Sequence, residues 1–307
     1  MHVPVLAGPA LEWLRIREDG TYVDCTAGAG GHMALIVEWL KRGRLIALDR
    51  DPAAVELTRR RVADWPQATV LHRNYAELAE TLAELRIKAV DGVLFDVGIS
   101  SMQLDDPQRG FSFQEEGPLD MRMDPTRGTT AAEWLADVDE VELSRVLRDY
   151  GDIRPARRIA RALLERRASG ELSTTRDVVE VVRAALGIQR EFPEEVRTVF
   201  QAIRMAVNDE LNNLRAGLTQ AVNALAPEGR VVAISFHSGE DRVVKNTFRE
   251  YAISRKELRP DGRILYRFPP QLRILTRKPI GPNADEVRAN PRAHSAKLRV
   301  AERLPVA

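Results

Sequence analysis

Four short apolar runs in the first hundred positions each hand over to an amphipathic stretch through a connection of a few residues. TYVDCT (21–26), RLIALD (44–49), ATVLHRN (68–74) and VDGVLFDVG (90–98) read as strands. Between them lie three helical stretches: residues 31–42, with Met33, Ile36, Val37 and Leu40 on one face, DPAAVELTRRRVADW (51–65) and AELAETLAELR (76–86). Strands joined through helices pair in parallel, so the alternation predicts a doubly wound parallel sheet of the α/β class. The pattern breaks near position 105. Residues 99–130 are rich in Gly, Pro, Asp and Met with little periodicity, the mark of a functional loop or a disordered one. Residues 131–187 read as helices, and 196–225 as a further helix that bends and leads back to the sheet. RVVAISF (230–236) reads as a fifth strand, and RILYRF (263–268), LRILTRK (272–278) and AKLRVAER (296–303) as late strands. The expected organisation is an α/β core over 1–104 and 206–307, interrupted by a helical insertion over 105–205, with no internal repeat.

Composition narrows the class of protein. No run of roughly 18 apolar residues occurs, so no membrane span is expected. The first residues lack the ordered basic, apolar and small-residue regions of a signal peptide. Cys25 is the single cysteine, which excludes an intrachain disulfide and a cysteine metal cluster; no metal site is expected, and a cytoplasmic location is the default. Net charge is +1, but residues 242–303 hold 16 Lys+Arg against 6 Asp+Glu, a local +10 that leaves −9 elsewhere. A basic end of this kind fits a polyanionic partner, although 40 of the 46 cations are Arg and a compositional bias would give the same excess.

Several segments carry chemistry. Asp24-Cys25-Thr26-Ala27-Gly28-Ala29-Gly30-Gly31-His32 sits where a strand hands over to a helix; glycines there let backbone approach a ligand, and a helix start presents free N–H groups. The dinucleotide fingerprint needs a third glycine where Met33 stands. Asp49 ends the second strand, where a carboxylate accepts from a ribose diol, and this serves a nicotinamide dinucleotide and S-adenosylmethionine equally. Asp51 reads as a helix cap. Tyr75, after the third strand, is either a cover for a flat adenine or a core tyrosine. Asp96 ends the fourth strand beside the switch point of the sheet, followed by Gly98-Ile99-Ser100-Ser101-Met102-Gln103. His237, after the fifth strand, either touches substrate or caps the following helix. Arg154, Arg157, Arg158 and Arg161 recur at near-turn spacing, as a phosphate track or a solvated face.

Taken together these segments resemble one family, the bacterial H-type small-subunit ribosomal RNA methyltransferases, once called MraW, which methylate N4 of a cytidine in the decoding region. The resemblance runs through HVPV (2–5), DCTAGAGGH (24–32), LDRDP (48–52), DVGISSMQLD (96–105), RGFSF (109–113) and GPLDMRMD (117–124). It continues through YGDIRPARRIA (150–160), FQAIRMAVNDEL (200–211), SFHSGEDRVVK (235–245) and NPRAHSAKLRVAER (290–303). The RGFSF–GPLDMRMD and SFHS–EDR blocks are far more specific than the glycine loop. The resemblance implies a class I S-adenosylmethionine-dependent methyltransferase, a Rossmann-like doubly wound sheet whose inserted helical domain recognises substrate. It implies S-adenosyl-L-methionine as cofactor, held by Gly30, Gly31, His32, Asp49, Tyr75, Asp96 and Gln103, and as partner the 16S rRNA within the small ribosomal subunit or its late assembly form. The chain departs from the family at Phe192–Arg197, at Gly239 and at Met102, which leaves the cofactor motifs intact.

The chemistry this implies is in-line transfer from a sulfonium to the exocyclic amine of cytosine. The amine lone pair is delocalised, so a hydrogen-bond acceptor for one amine hydrogen assists; Asp96 is the best-placed residue, with Ser100, Ser101 or backbone carbonyls as alternatives. Many amine methyltransferases follow this acid with Pro-Pro-aromatic. Here Val97-Gly98-Ile99 stands instead, leaving Phe111, Phe113 and Phe236 as candidate base platforms. Competing readings are transfer to another amine, in DNA or protein, and a ribosome-assembly binding protein with a regulatory pocket. A nicotinamide oxidoreductase is disfavoured by Met33 and by the lack of a hydride-chemistry triad. Base rates among soluble oligomers favour a homodimer, but no sequence feature demands one.

Overall fold

The computed structural model describes residues 4–190, 193–259 and 263–305; His2, Val3 and Phe192 lie outside them. The chain divides into two compact units, Met1–Gly98 with Leu211–Ala307, and Ile99–Glu210.

The first unit is built on a seven-stranded sheet of β1 (Thr21–Asp24), β2 (Arg44–Asp49), β3 (Ala68–His72), β4 (Val90–Asp96), β5 (Leu225–Ser235), β8 (Leu272–Ile274) and β9 (Lys297–Arg303). Its order is β3-β2-β1-β4-β5-β9-β8. β1 to β5 pair in parallel, and β9 and β8 close the far edge antiparallel. The doubly wound arrangement is visible in the alternation along each strand. Val23, Ile46, Leu48, Val93, Phe95, Val231 and Ala233 enter one core. Tyr22, Leu45, Ala47, Leu94, Val232 and Ile234 enter the other. Successive side chains of a strand point to opposite faces, so continuous apolar strands of this kind need cover on both. One face is covered by α4 (Leu78–Glu84), α11 (Glu210–Ala224) and α12 (Ser238–Ala252), the other by α1 (Ala7–Leu14), α2 (Gly31–Val37) and α3 (Pro52–Arg61). α2 is shorter than its apolar face predicts. After Val37 the chain tightens into bonds from Trp39 to Ile36 and from Leu40 to Val37, while Leu40 stays buried.

Of the late segments, RILYRF is a strand as expected and LRILTRK only in part. RILYRF forms β7 (Ile264–Phe268), which pairs antiparallel with β6 (Arg255–Leu258) in a separate two-stranded ribbon. All five residues of β7 are exposed, whereas a strand inserted into the main sheet would be covered on both faces. LRILTRK is a strand only over Leu272–Ile274; beyond it a short helix, α13 (Ala284–Ala289), and a 3-10 turn over Pro291–Ser295 precede β9.

The second unit is helical: α5 (Ser101–Asp105), α6 (Ala131–Asp137), α7 (Glu140–Gly151), α8 (Ala156–Ala168), α9 (Thr175–Leu186) and α10 (Glu194–Val207). The apolar stripes of α6 to α10 share one core, among them Leu135, Leu147, Ile159, Val182 and Ile203. Thr130 and Thr174 cap α6 and α9 through capping boxes with Glu133 and Asp177. The long helix expected over 196–225 is two helices. Asn208 closes α10, and Asp209 takes the left-handed conformation (φ 48°) that stops helical propagation before α11.

The irregular 99–130 stretch is ordered by contacts within its own unit. Arg109 donates to the carbonyls of Arg122 and Met123, both at 3.0 Å. Asn208 accepts from Met123 N (2.7 Å) and donates to Met121 O (2.7 Å). Gly110 (φ 70°) and Gly117 are forced: a Cβ would stand 2.2 Å from Pro118 O at the first and 1.9 Å from Pro107 O at the second. The RGFSF–GPLDMRMD block therefore ties a loop to the helical core.

Candidate active site

In the order 3-2-1-4-5 the crossovers reverse direction between β1 and β4, and the crevice outside the carboxyl ends of those strands is where ligands bind in such sheets. Three carboxyls end strands there: Asp24 on β1, Asp49 on β2 and Asp96 on β4.

The glycine loop connects them. Gly28 N donates to Asp49 Oδ2 and Asp51 N to Asp49 Oδ1, each at 2.8 Å, while Asp51 caps α3. Gly28 (φ 52°) and Gly30 (φ 74°) adopt the left-handed backbone that favours glycine. α3 holds the loop from outside: Thr58 Oγ1 donates to Gly28 O (2.9 Å) and Arg61 to Ala29 O (3.0 Å). A Cβ on Gly30 would meet the Arg61 Cδ at 3.1 Å, so glycine there also permits close packing.

Asp96 is tied from two sides. Its backbone N–H donates to Thr26 Oγ1 at 2.7 Å. Its Oδ2 lies 3.4 Å from Nδ1 of His32, the second residue of α2, whose Nε2 is 3.0 Å from Val5 O in a buried setting. A carbonyl oxygen only accepts, so Nε2 carries the imidazole hydrogen and Nδ1 turns a lone pair toward Asp96. Burial lowers the His32 pKa to about 4, which keeps the ring neutral. Burial first, then the negative charges of Asp24 and Glu240, push Asp96 up to about 8. The two shifts agree: a neutral imidazole presenting a lone pair is satisfied by a carboxyl that retains its proton. The Asp96 side chain is 23% exposed, yet its Oδ1 is enclosed without a hydrogen-bond partner among the described residues.

The neighbouring carboxyls are raised for the same reason. Burial, opposed by the Thr26 bonds and helped by Asp49, lifts Asp24 to about 7, and its Oδ2 is enclosed without a partner among the described residues. Asp49 is lifted to about 6 by burial, against the hydrogen bonds from Asp51 and Gly28. Strand ends that concentrate carboxyls, two of them with orphaned oxygens, make a site that gains from a cationic ligand. The donor set fits S-adenosylmethionine. Each Asp49 oxygen retains a second lone pair for a ribose hydroxyl, and the acidic edge suits a sulfonium and an ammonium.

Other expected residues lie differently. Tyr75 opens the turn after β3, 9% exposed, edge-on to Phe95 with ring centroids 5.7 Å apart. It is thus mostly a core residue. Gln103 is buried and closes a capping box on α5, its Oε1 accepting from Ser100 N at 3.1 Å. Ser101 is the first residue of that helix, half-buried. His237 is the N-cap of α12: its Nδ1 accepts from Gly239 N (3.2 Å) and Glu240 N (3.4 Å). Its Nε2 is 3.0 Å from Glu240 Oε1, though out of hydrogen-bond alignment. Phe111 is buried, and Phe113 stacks edge-on with Phe200 in the helical core, so neither offers a free face. Phe236 remains half-buried beside Gly98, 3.5 Å from where a Cβ would stand. Arg157 and Arg161 both pair with Glu140 (2.8 and 3.5 Å), which fits a solvated face better than a phosphate track.

Residues that sequence reasoning did not single out complete the site: Thr26, which holds the Asp96 backbone; Val5, which sets the His32 tautomer; and Glu240, fully buried, whose Oε2 accepts from Phe236 N at 2.8 Å. Thr26 and Glu240 stand inside the motifs themselves, whereas nothing local marks the Val5 carbonyl.

Comparison with known proteins is consistent along the whole chain. The model of the MraW methylase family matches residues 1–304. Ribosomal RNA small subunit methyltransferase H of Heliobacterium modesticaldum is 44% identical over 315 residues, covering 99% of this chain and 98% of that protein. The protein of the same name from Methylococcus capsulatus is 49% identical over 296 residues, covering 95% and 97%. Among the described residues no helix is long and apolar enough to cross a membrane. Matched by that family's model over residues 1–304 and by relatives along almost their full length, the chain belongs to the MraW methylase family.

Proposed function

We propose that the protein transfers the methyl group of S-adenosylmethionine to the exocyclic N4 amine of a decoding-region cytidine in 16S rRNA. Its substrate is the small ribosomal subunit or a late assembly form, which places the reaction in the cytoplasm. The coarser part, methylation of small-subunit rRNA, is supported by the relatives' names and the family. The observation that carries the finer part is Asp96: a carboxyl at the switch point, backbone-locked by Thr26, set against a neutral histidine and holding an enclosed, unpartnered oxygen.

The cofactor supplies an electrophilic methyl on a sulfonium. Gly30, Gly31 and His32 shape the loop around it, Asp49 binds the ribose, and Tyr75, Asp96 and Gln103 complete the set carried over from the family. With its proton directed at His32 Nδ1, the Asp96 carboxyl accepts a hydrogen bond from the cytosine amine through its other oxygen and so orients the N4 lone pair. S-adenosylmethionine held here would give its methyl to N4 and leave as the neutral thioether S-adenosylhomocysteine, and the methylated nitrogen, being acidic, would release its proton to water. His32 is a positioning residue: its Nδ1 holds Oδ2. Orientation supplies roughly 7–11 kcal/mol of barrier lowering, against about 10²–10⁴-fold from acid–base assistance, so positioning dominates. His237 is assigned the capping role its Nδ1 already performs, and Ser101 a place at the start of α5. Cys25 is buried in the β1 core and takes no part, which disfavours cysteine-dependent C5 methylation.

The test is methyl transfer from radiolabelled S-adenosylmethionine to small subunits lacking the modification, with nucleoside analysis of the rRNA. Label in N4-methylcytidine from wild type, and none from a folded Asp96→Ala variant, is the expected result. Equal label from both removes Asp96 as an essential group; label in another nucleoside overturns the assignment of N4.

A further inference from the structure

The Val5–Leu6 peptide meets the site on one edge and a distant element on the other. Its carbonyl oxygen lies 3.0 Å from Nε2 of His32, and its N–H donates to Oε1 of Glu286 at 2.6 Å. A trans peptide is planar with C=O and N–H pointing opposite ways, so both bonds draw on one rigid plane. His32 Nδ1 in turn lies 3.4 Å from Asp96 Oδ2. Glu286, Leu6 N–H, Val5 C=O, His32 and Asp96 therefore form one continuous series within the first unit, and its first link joins residues 280 positions apart.

The surroundings hold that plane in place. Leu6 is a non-glycine residue in the left-handed region (φ 52°), a conformation an L side chain keeps only where packing enforces it, and it is fully buried. Val5, Leu6, Ala293 and Ala296 share a core, so the segments before α1 and before β9 are packed together. Pro4 lies against the glycine loop, its Cβ 3.2 Å from where a Cβ on Gly31 would stand. Glu286 is half-buried on α13, its own N–H donating to Asn283 Oδ1 at 2.8 Å. Its neighbour Asp285 pairs with Arg288 on the same helix, whereas Glu286 makes no ion pair among the described residues and gives its carboxylate to Leu6 N–H.

A carboxylate on an amide N–H makes a charge-assisted bond, and hydrogen bonds in series polarise one another. Negative charge on the Leu6 side of the peptide thus strengthens Val5 O as acceptor for the His32 Nε2 hydrogen. A ring so held keeps Nδ1 turned to Asp96 Oδ2 and leaves Oδ1, enclosed without a partner among the described residues, for the substrate amine.

We infer that Glu286 is a positioning residue for methyl transfer, acting through the Leu6–Val5 peptide to fix the tautomer and orientation of His32 and, through it, the Asp96 carboxyl. This rests on the reading of Asp96 as acceptor for the substrate amine, and it adds to the site a residue from the far end of the chain.

The experiment compares wild type with Glu286→Ala, Glu286→Gln and, as a control on the same helix, Asp285→Ala. Nitrogen–proton NMR of protein labelled at histidine reads the two ring nitrogens of His32, identified by the signals lost in His32→Asn. Kinetics on small subunits give kcat and KM, and calorimetry gives affinity for S-adenosylmethionine. Wild type and Asp285→Ala should show a hydrogen-bearing Nε2 and a bare Nδ1. In Glu286→Ala the two nitrogen signals should move toward each other as the tautomers mix. Its kcat should fall by about 10- to 100-fold, the scale of a misplaced group, with KM and cofactor affinity near wild type. Glu286→Gln keeps an oxygen for Leu6 N–H, so it should hold the segment and show the same changes at smaller size. A Glu286→Ala protein with wild-type kcat overturns the inference, as does one that loses stability and cofactor affinity while the His32 signals stay unmoved. Wild type that leaves N4 of the rRNA unlabelled refutes the methyl-transfer reading, whereas unmoved His32 signals in Glu286→Ala overturn the Glu286 link whether or not methyl is transferred.

Discussion

Replacing Asp96 with asparagine should change how stability depends on pH, and the structure sets both sign and size. Asp96 has a folded pKa of about 8 against an ordinary 3.8. Between those values the folded protein keeps a proton that the unfolded chain has released, so stability falls as pH rises, by about 1.4 kcal/mol per unit. From pH 5 to pH 7 that amounts to about 2.7 kcal/mol. With 23% of the side chain meeting water, solvent relieves part of the penalty, and about 1–3 kcal/mol is the expected range. His32 acts with the opposite sign: its folded pKa of about 4 lies below its ordinary 6.5, so it adds stability as pH rises from 4 to 6.5. Asp49 titrates in wild type and variant alike, so the difference between the two reads Asp96 together with its coupling to Asp24 and His32. Urea unfolding at pH 5, 6 and 7, followed by circular dichroism at equal m-values, should show Asp96→Asn gaining on wild type by that amount. A difference that is flat across the window, or that moves toward wild type, would refute a protonated Asp96 facing a neutral His32.

The remaining expectations concern single residues. Asn208→Ala leaves the backbone groups of Met121 and Met123 buried without their partner, and denaturant unfolding should show a loss of about 2–5 kcal/mol; a loss under 1 kcal/mol would mean water replaces it. Gly117→Ala drives a Cβ to within 1.9 Å of Pro107 O, so the thermal midpoint should fall by several degrees, and an unchanged midpoint would contradict the packing of that loop. His237→Ala should remove about 0.5–2 kcal/mol of stability and leave kcat within a few-fold. A hundredfold fall in kcat at near-native stability would instead make it a proton-transfer residue. Asp49→Ala should weaken S-adenosylmethionine binding at least roughly tenfold by calorimetry, the value of a hydrogen bond to a charged group; undiminished binding would remove Asp49 from the ribose site.

Much of the first unit was legible in the chain itself, because its signals are local. The apolar runs at 21–26, 44–49, 68–74 and 90–98 all became strands, and Asp51 caps α3 as its place before Pro52 predicts. The glycine loop and the carboxyls Asp49 and Asp96 emerged where a strand meets a turn. Less was legible in the 99–130 stretch, whose order depends on Asn208, some 85 residues away in sequence. RILYRF became a strand as read, but its partner was not legible. Its strand propensity is real, but which partner a strand takes is a long-range choice, and β7 joins β6 instead of the main sheet.

Sequence alone determined the element types and the chemical kinds of residue at the strand ends, since apolar period and turn chemistry act over a few positions. Tertiary structure alone decided how those residues function. His32 is neutral with its hydrogen on Nε2 because the Val5 carbonyl, 27 residues distant, lies 3.0 Å away. Asp96 retains its proton because packing takes most of its side chain out of water and brings Asp24 and Glu240 near. Protonation state, tautomer and hydrogen-bond satisfaction depend on burial and on neighbours in space, and the folded sheet sets both.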